Sequence, residues 1–259
     1  VQPTSRGELT PDPRAPITRI APPDWAAHAV RHLWIVEWDL PAGEAVRQLV
    51  LGYPALNIVA EPEKFAVYGP TTSASTRTLA GTGWGVGLLL RPAATPLFAD
   101  RPAEFADAER DLDAPKVHRA VVRAMGSGQP AAARYAEAAD AVLRWVVGLL
   151  PAADPRGLEA NRMAELADSR PGLLKVADLA AAMGASERTL DRLAADFLGP
   201  TPAALMRRRR IQLAAERLRA DPRTPLANLA HSLGYADQPH LTRDFRAVLG
   251  MTPREYAGR

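Results

Sequence analysis

The sequence contains no cysteine. That excludes disulfide frameworks, thiolate zinc sites, iron–sulfur clusters and cysteine nucleophiles together, and it fits a reducing cytoplasm. Long hydrophobic runs are missing too. The longest apolar stretches, residues 86–90 and 142–150, are short or broken by Arg144, whereas a membrane span needs about 20 apolar residues. A soluble protein with no membrane partner is expected. Residues 1–16 are polar and proline-rich and lack the apolar core of a secretory signal. Lysine is scarce, with only Lys64, Lys116 and Lys175. Arginine therefore carries nearly all the positive charge, but in so alanine-rich a chain that usage can reflect coding composition and has no weight here.

What is present is a chain of 259 residues, 47% apolar, which is enough for a substantial core and for two domains of ordinary size. The net charge of +3 is unevenly spread. Residues 1–154 carry 15 basic and 17 acidic side chains, a net of −2, and residues 155–259 carry 17 and 12, a net of +5. The basic part is the C-terminal part, and a basic module points to a polyanion partner.

Residues 1–23 contain six prolines and read as a flexible head. From residue 24 to 115 the pattern is short β-type runs, at 33–38, 55–59, 65–68 and 86–90, separated by Gly-Tyr-Pro, Glu-Pro-Glu, Tyr-Gly-Pro and Arg-Pro turns. That is the signature of a small antiparallel sheet or barrel. Residues 116–150 read as two connecting helices and 151–155 as a linker, with everything after it helical. The expected fold class is α+β in two domains, β-rich at the N-terminus and all-α at the C-terminus.

The C-terminal segment repeats itself. Residues 176–184 align with 226–234 at an offset of 50, and after one inserted residue Ser186, Leu190, Gly199, Thr201 and Pro202 fall on Asp237, Leu241, Gly250, Thr252 and Pro253. Each copy has a short helix ending at a glycine able to take positive φ, a brief turn, and then Ser186 or Asp237 capping a second helix. This is a helix-turn-helix, twice. A linking helix over 202–219, with an apolar stripe of Leu205, Ile211, Ala214, Ala215 and Leu218, fits between units at about 157–200 and 223–258. It would set the separation of two recognition helices entering successive major grooves, about 34 Å apart.

At these residues, 156–259, the chain closely resembles the AraC family of transcription regulators. The stretch from Gly234 through Phe245 to Tyr256 follows that family's signature almost throughout, while the first unit departs from it, with Ala194 where an aromatic is usual and Phe197 one turn later to fill the space. More faintly, residues 34–40, 68–72 and 81–92 resemble a small β-rich domain of unsettled role that precedes such DNA-binding domains in some regulators. The resemblance implies double-stranded DNA as partner, a sensory or dimerising N-terminal domain, a homodimer, a small-molecule effector, and contact with RNA polymerase in the case of an activator. No cofactor is expected.

In the second unit Leu241, Phe245 and Leu249 fall on the inward face, leaving Gln238, His240, Arg243 and Arg246 outside. Gln238 can pair with adenine and Arg243 bidentately with guanine. Gln238, His240 and Arg243 match the family's base-contacting positions. The same face logic selects Arg188, Asp191 and Arg192 in the first unit. Arg207, Arg208, Arg209 and Arg210 suggest a phosphate clamp, yet four successive residues point around the whole helix, so at most two can face DNA. Ser186, Thr201 and Thr252 read as caps.

Other chemistry is weak. His28 and His32 have zinc-helix spacing but Ala29 stands where a glutamate is expected, and no metal site is predicted. Gly81, Gly83, Gly85 and Gly87 alternate without fitting a phosphate loop and read as close strand approach or a bulged turn. Trp34 and Trp38 read as core or as the wall of a pocket between sheet and helices, the candidate effector pocket. The expected protein is a DNA-binding regulator and not an enzyme. Two other readings of the N-terminal part stay open: a small enzyme coupled to the DNA-binding domain, or a module that joins subunits or binds a partner protein.

Overall fold

The structure, a computed structural model, describes residue 9 and residues 11–150, 154–170 and 172–258. Residues 1–8 and 10 of the expected head, and 151–153 of the expected linker, lie outside the described residues.

Eight strands form the N-terminal part: β1 (Ile17–Ile20), β2 (Val30–Asp39), β3 (Ala45–Leu51), β4 (Asn57–Ala60), β5 (Phe65–Tyr68), β6 (Ala74–Ala80), β7 (Thr82–Leu90) and β8 (Glu109–Asp111). Six make an antiparallel sheet in the order β1-β2-β7-β4-β5-β8, and β3 pairs with β6 as a separate two-stranded ribbon. The strand period of two sorts β2 by face. Leu33 and Ile35 point to a core shared with helices α1 (Pro115–Met125) and α2 (Ala131–Leu149), through Val121, Ala138 and Val142. His32, Trp34, Val36 and Trp38 point the other way, into a cavity.

The alternating glycines divide: Gly81, at φ +58°, makes the turn between β6 and β7 as expected, while the others lie within β7. β2 and β7 pair in continuous register from Leu33 to Asp39, setting Trp34 opposite Gly87, Val36 opposite Gly85 and Trp38 opposite Gly83. A Cβ on Gly87 would stand 1.9 Å from the Trp34 indole, and one on Gly83 2.4 Å from that of Trp38. Gly83 and Gly87 make room for two indoles lying across the sheet, and the register through them is continuous, with no bulge.

The described part of the expected flexible head is also corrected. Ala15 is fully buried, Gln48 Nε2 donates to its carbonyl at 2.7 Å, and β1 is an edge strand of the sheet. No proline falls within 17–20, so a short ladder fits between Pro16 and Pro22.

The C-terminal part is helical: α3 (Pro155–Ser169), α4 (Val176–Met183), α5 (Glu187–Phe197), α6 (Pro202–Ala220), α7 (Leu226–Ser232), α8 (Gln238–Leu249) and α9 (Pro253–Ala257). Asp154 caps α3, accepting from the Arg156 N–H at 2.9 Å. The repeat is visible in the backbone. Gly184 and Gly234 both adopt left-handed φ, +66° and +74°, at the turns of the two units. Ser186 Oγ then accepts from the Thr189 N–H at 3.1 Å and Asp237 Oδ1 from the His240 N–H at 2.7 Å, opening α5 and α8. Thr201 and Thr252 cap α6 and α9 in the same way.

Helix α6 runs between two cores. Leu205 and Met206 join α3, α4 and α5, with Phe197 buried beside Ala194, whereas Ile211, Ala214, Ala215 and Leu218 join α7, α8 and α9. Both units also rest on the N-terminal part. Asn161 of α3 accepts from the Ala93 N–H at 2.9 Å and donates to the His28 carbonyl at 2.7 Å, while Leu9, Leu49 and Leu51 enter the core of the second unit.

Candidate nucleic-acid interface and effector cavity

In α5, Leu190, Leu193, Ala194 and Phe197 are buried while Arg188, Asp191 and Arg192 are exposed. In α8, Leu241, Phe245, Val248 and Leu249 are buried while Gln238, Arg243 and Arg246 are exposed. Among the described residues, Arg188, Arg192, Arg243 and Arg246 have no ion pair or hydrogen bond from their side chains. Each second helix therefore presents unpaired guanidinium groups on its solvent face. His240 departs from the expected outward placement. Its ring is half-buried and meets Tyr235 edge-on, with centroids 5.0 Å apart.

The arginine run is not a clamp. Arg208 and Arg209 are buried and Arg207 and Arg210 half-buried, because α6 is enclosed by both units and by the N-terminal part at this level. Arg207 Nε lies 2.9 Å from Asp244 Oδ1, and Arg210 stacks over the Tyr235 ring at 4.4 Å with Asp244 Oδ2 3.9 Å away. Asp244 thus ties α8 to α6 from the side opposite its exposed arginines. Sequence reasoning missed this carboxylate; an acid thirty-four residues beyond the arginine run, on another helix, gives no signal until the helices are packed.

The second feature is a cavity of about 1050 Å³ between the six-stranded sheet and the β3–β6 ribbon. Trp34 and Trp38 form one wall, their ring nitrogens donating to Asn57 Oδ1 and to the Ala80 carbonyl, each at 3.1 Å. The cavity reaches the C-terminal part, where Glu165 and Asp168 of α3 and Arg208 and Gln212 of α6 line it. Tyr53 sits there between two guanidinium groups, Arg31 at 4.4 Å and Arg208 at 4.9 Å from its ring centre. Burial pushes the Tyr53 phenol above its ordinary value, so it stays a neutral ring for both cations. Burial, with Arg31 and Arg19 nearby, lowers His32 to about 4 and keeps it neutral near pH 7. No group of three or more His, Asp or Glu side chains suited to a metal occurs among the described residues, and His28 and His32 do not form one.

Comparison with known proteins agrees with this division. Residues 179–259 match a family described as a helix-turn-helix domain, and residues 18–111 match a domain of unknown function (DUF6597). Two Streptomyces proteins named as AraC-like transcription regulators are also similar. The one from Streptomyces antibioticus is 38% identical over 119 residues, 46% of this chain and 37% of its own length. The one from Streptomyces lividans is 38% identical over 116 residues, 45% and 36%. The C-terminal domain is of the AraC type.

The matches cover little more than a third of the length of either Streptomyces relative. Among solved structures, ToxT from Vibrio cholerae aligns over 93% of this chain and 95% of its own at 11% identity, with a TM-score of 0.40. The regulator CdpR from Pseudomonas aeruginosa aligns over 70% and 47% at 24% identity, with a TM-score of 0.32. Both likenesses are too loose to transfer a ligand. The AraC-type domain is preceded here by the domain of unknown function, which contains the strands and most of the cavity. Among the described residues no helix is long and apolar enough to cross a membrane.

Proposed function

We propose that this chain is a sequence-specific DNA-binding transcription regulator whose N-terminal domain responds to a small molecule. One observation carries the first half: two repeated units, each with a buried leucine face and an opposite face of unpaired arginines on its second helix. Phosphates are natural partners for such groups, and a recognition helix reads base edges with the residues near its N-terminal end. Arg188, Asp191 and Arg192 serve the first groove, and Gln238, Arg243 and Arg246 the second. His240, held against Tyr235, positions the start of α8 and can offer one ring nitrogen outward. Binding, not catalysis, is the activity, in the cytoplasm, without a cofactor.

The test is capture of genomic fragments by the purified chain, followed by affinity measurements on the recovered site. Arg243→Ala is expected to cost about 1–3 kcal/mol on that site and little on random DNA. An equal loss on both sequences refutes base readout by Arg243. The cavity walled by Trp34 and Trp38 supports the second half, since a deep concave space where aromatic and aliphatic side chains meet converging polar groups is a usual form of a small-molecule site. The chain acts as a homodimer in this reading, which sedimentation of the full chain checks, and touches RNA polymerase where it activates.

A further inference from the structure

The inner end of the cavity has more positive than negative charge. Arg31 Nη2 is 2.5 Å from Asp168 Oδ2, and Arg91 Nη1 is 3.1 Å from Glu165 Oε2, so two cations are matched by two carboxylates. Arg208 is a third guanidinium on the same wall and is only 4% exposed. Its Nε donates to the Gly52 carbonyl at 2.8 Å and its Nη1 to Gln212 Oε1 at 3.4 Å, both neutral acceptors. The nearest carboxylate oxygen, Asp168 Oδ1, is 3.9 Å away on a group Arg31 already holds. Nη2 of Arg208 has no hydrogen bond among the described residues.

A buried cation with a shared counter-ion is costly, and a guanidinium fork is shaped for a carboxylate or a similar oxyanion. Burial already presses Arg208 below its ordinary value. The other acids on the lining, Glu61, Asp107 and Glu109, belong to the β4–β5 turn and to β8 and the segment before it, at the opposite edge of the sheet, where Lys64 holds Glu109 at 2.6 Å. Between the two ends Trp34 and Trp38 lie flat over Gly87 and Gly83, which suits a flat apolar body.

We propose that the effector is a flat, largely apolar organic monoanion whose anionic group binds Arg208 and Arg31 in competition with Asp168, while its body lies against Trp34. The inference rests on the cavity being the effector site. Arg31 belongs to the N-terminal domain and Asp168 to α3, so an anion that takes Arg31 from Asp168 loosens a tie between the domains. Arg208 is on α6, which joins the two helix-turn-helix units, and so feels the ligand directly.

Two probes separate the ideas: 8-anilinonaphthalene-1-sulfonate and N-phenyl-1-naphthylamine, the same ring system without the sulfonate, each titrated into the full chain by fluorescence. The sulfonate is expected to bind at least about ten-fold more tightly. Arg208→Gln removes that advantage without weakening the neutral probe, Asp168→Asn increases it, and Trp34→Ala weakens both probes. Equal affinities that still depend on Trp34 overturn the anion inference while leaving the cavity reading intact. Affinities unchanged by Trp34→Ala overturn the cavity reading and the inference with it. Should Arg208→Gln fail to fold, Arg31→Gln takes its place, and an undiminished preference for the sulfonate in that variant overturns the proposal.

Discussion

At the scale of single residues, the most demanding packing is between an indole and a missing side chain. Gly87 cannot carry a methyl group, because Trp34 occupies its space to within 1.9 Å. Gly87→Ala is expected to lower stability by about 1–3 kcal/mol, read from the urea midpoint. Trp34→Leu in the same chain should recover part of that loss, a non-additivity that two independent sites would not show. The alternation of glycines was legible in the sequence, but the indole contacts that require Gly83 and Gly87 were not. They depend on β2 lying beside β7 in one register, which joins residues about fifty positions apart. Titration belongs to this scale as well. Folding depresses His32 from 6.5 to about 4, so between those values the unfolded chain binds more protons than the folded one. Stability should therefore fall as pH drops from 6.5 towards 4, and His32→Gln should flatten that part of the profile in chemical denaturation.

At the scale of elements, the helix-turn-helix units form for local reasons, and these were the most legible part of the chain. A glycine at positive φ ends one helix, a short side-chain oxygen starts the next, and leucines at helical spacing choose the buried face. Removing a cap tests this directly. Asp237→Ala is expected to cost about 1 kcal/mol, seen in the thermal midpoint, and Asp237→Asn considerably less. Helix α6 shows the limit of local reasoning. Its periodicity allows one or two of four consecutive arginines to face DNA, yet none of them is fully exposed. An isolated helix has a solvent side; α6 is surrounded at Arg207–Arg210 level by two helical cores and a β-ribbon turn, so its arginines find Asp244, Tyr235, Gly52 and Gln212 instead.

At the scale of the whole molecule, the N-terminal domain holds both units at once. Asn161 of α3 bonds to two backbone groups of that domain, and Leu9, whose N–H donates to the Leu49 carbonyl at 2.9 Å, is buried in the core of the second unit. Leu9→Ala should therefore cost about 2–4 kcal/mol although it lies outside every strand and helix, and should speed amide exchange in α8 and α9. A surface residue of a loose head would show neither effect. Because the cavity is shared by the sheet, α3 and α6, a ligand that displaces any of these walls reaches the linking helix without an intermediary.

By itself the sequence determined the duplicated units, their caps and the inward leucines, since each depends on residues within one or two helical turns of one another. It also determined the β-rich character of the first domain through its short runs and turn residues. Only the tertiary structure decided that Arg208 is a buried cavity wall and not a phosphate ligand, that Gly83 and Gly87 leave space for two tryptophans, and that Leu9 packs on the DNA-binding domain. Each of these rests on a contact between distant parts of the chain, such as the bond from Arg208 to Gly52, 156 residues apart. Periodicity reports which face of an element is apolar, but it carries no information about which other element comes to cover that face.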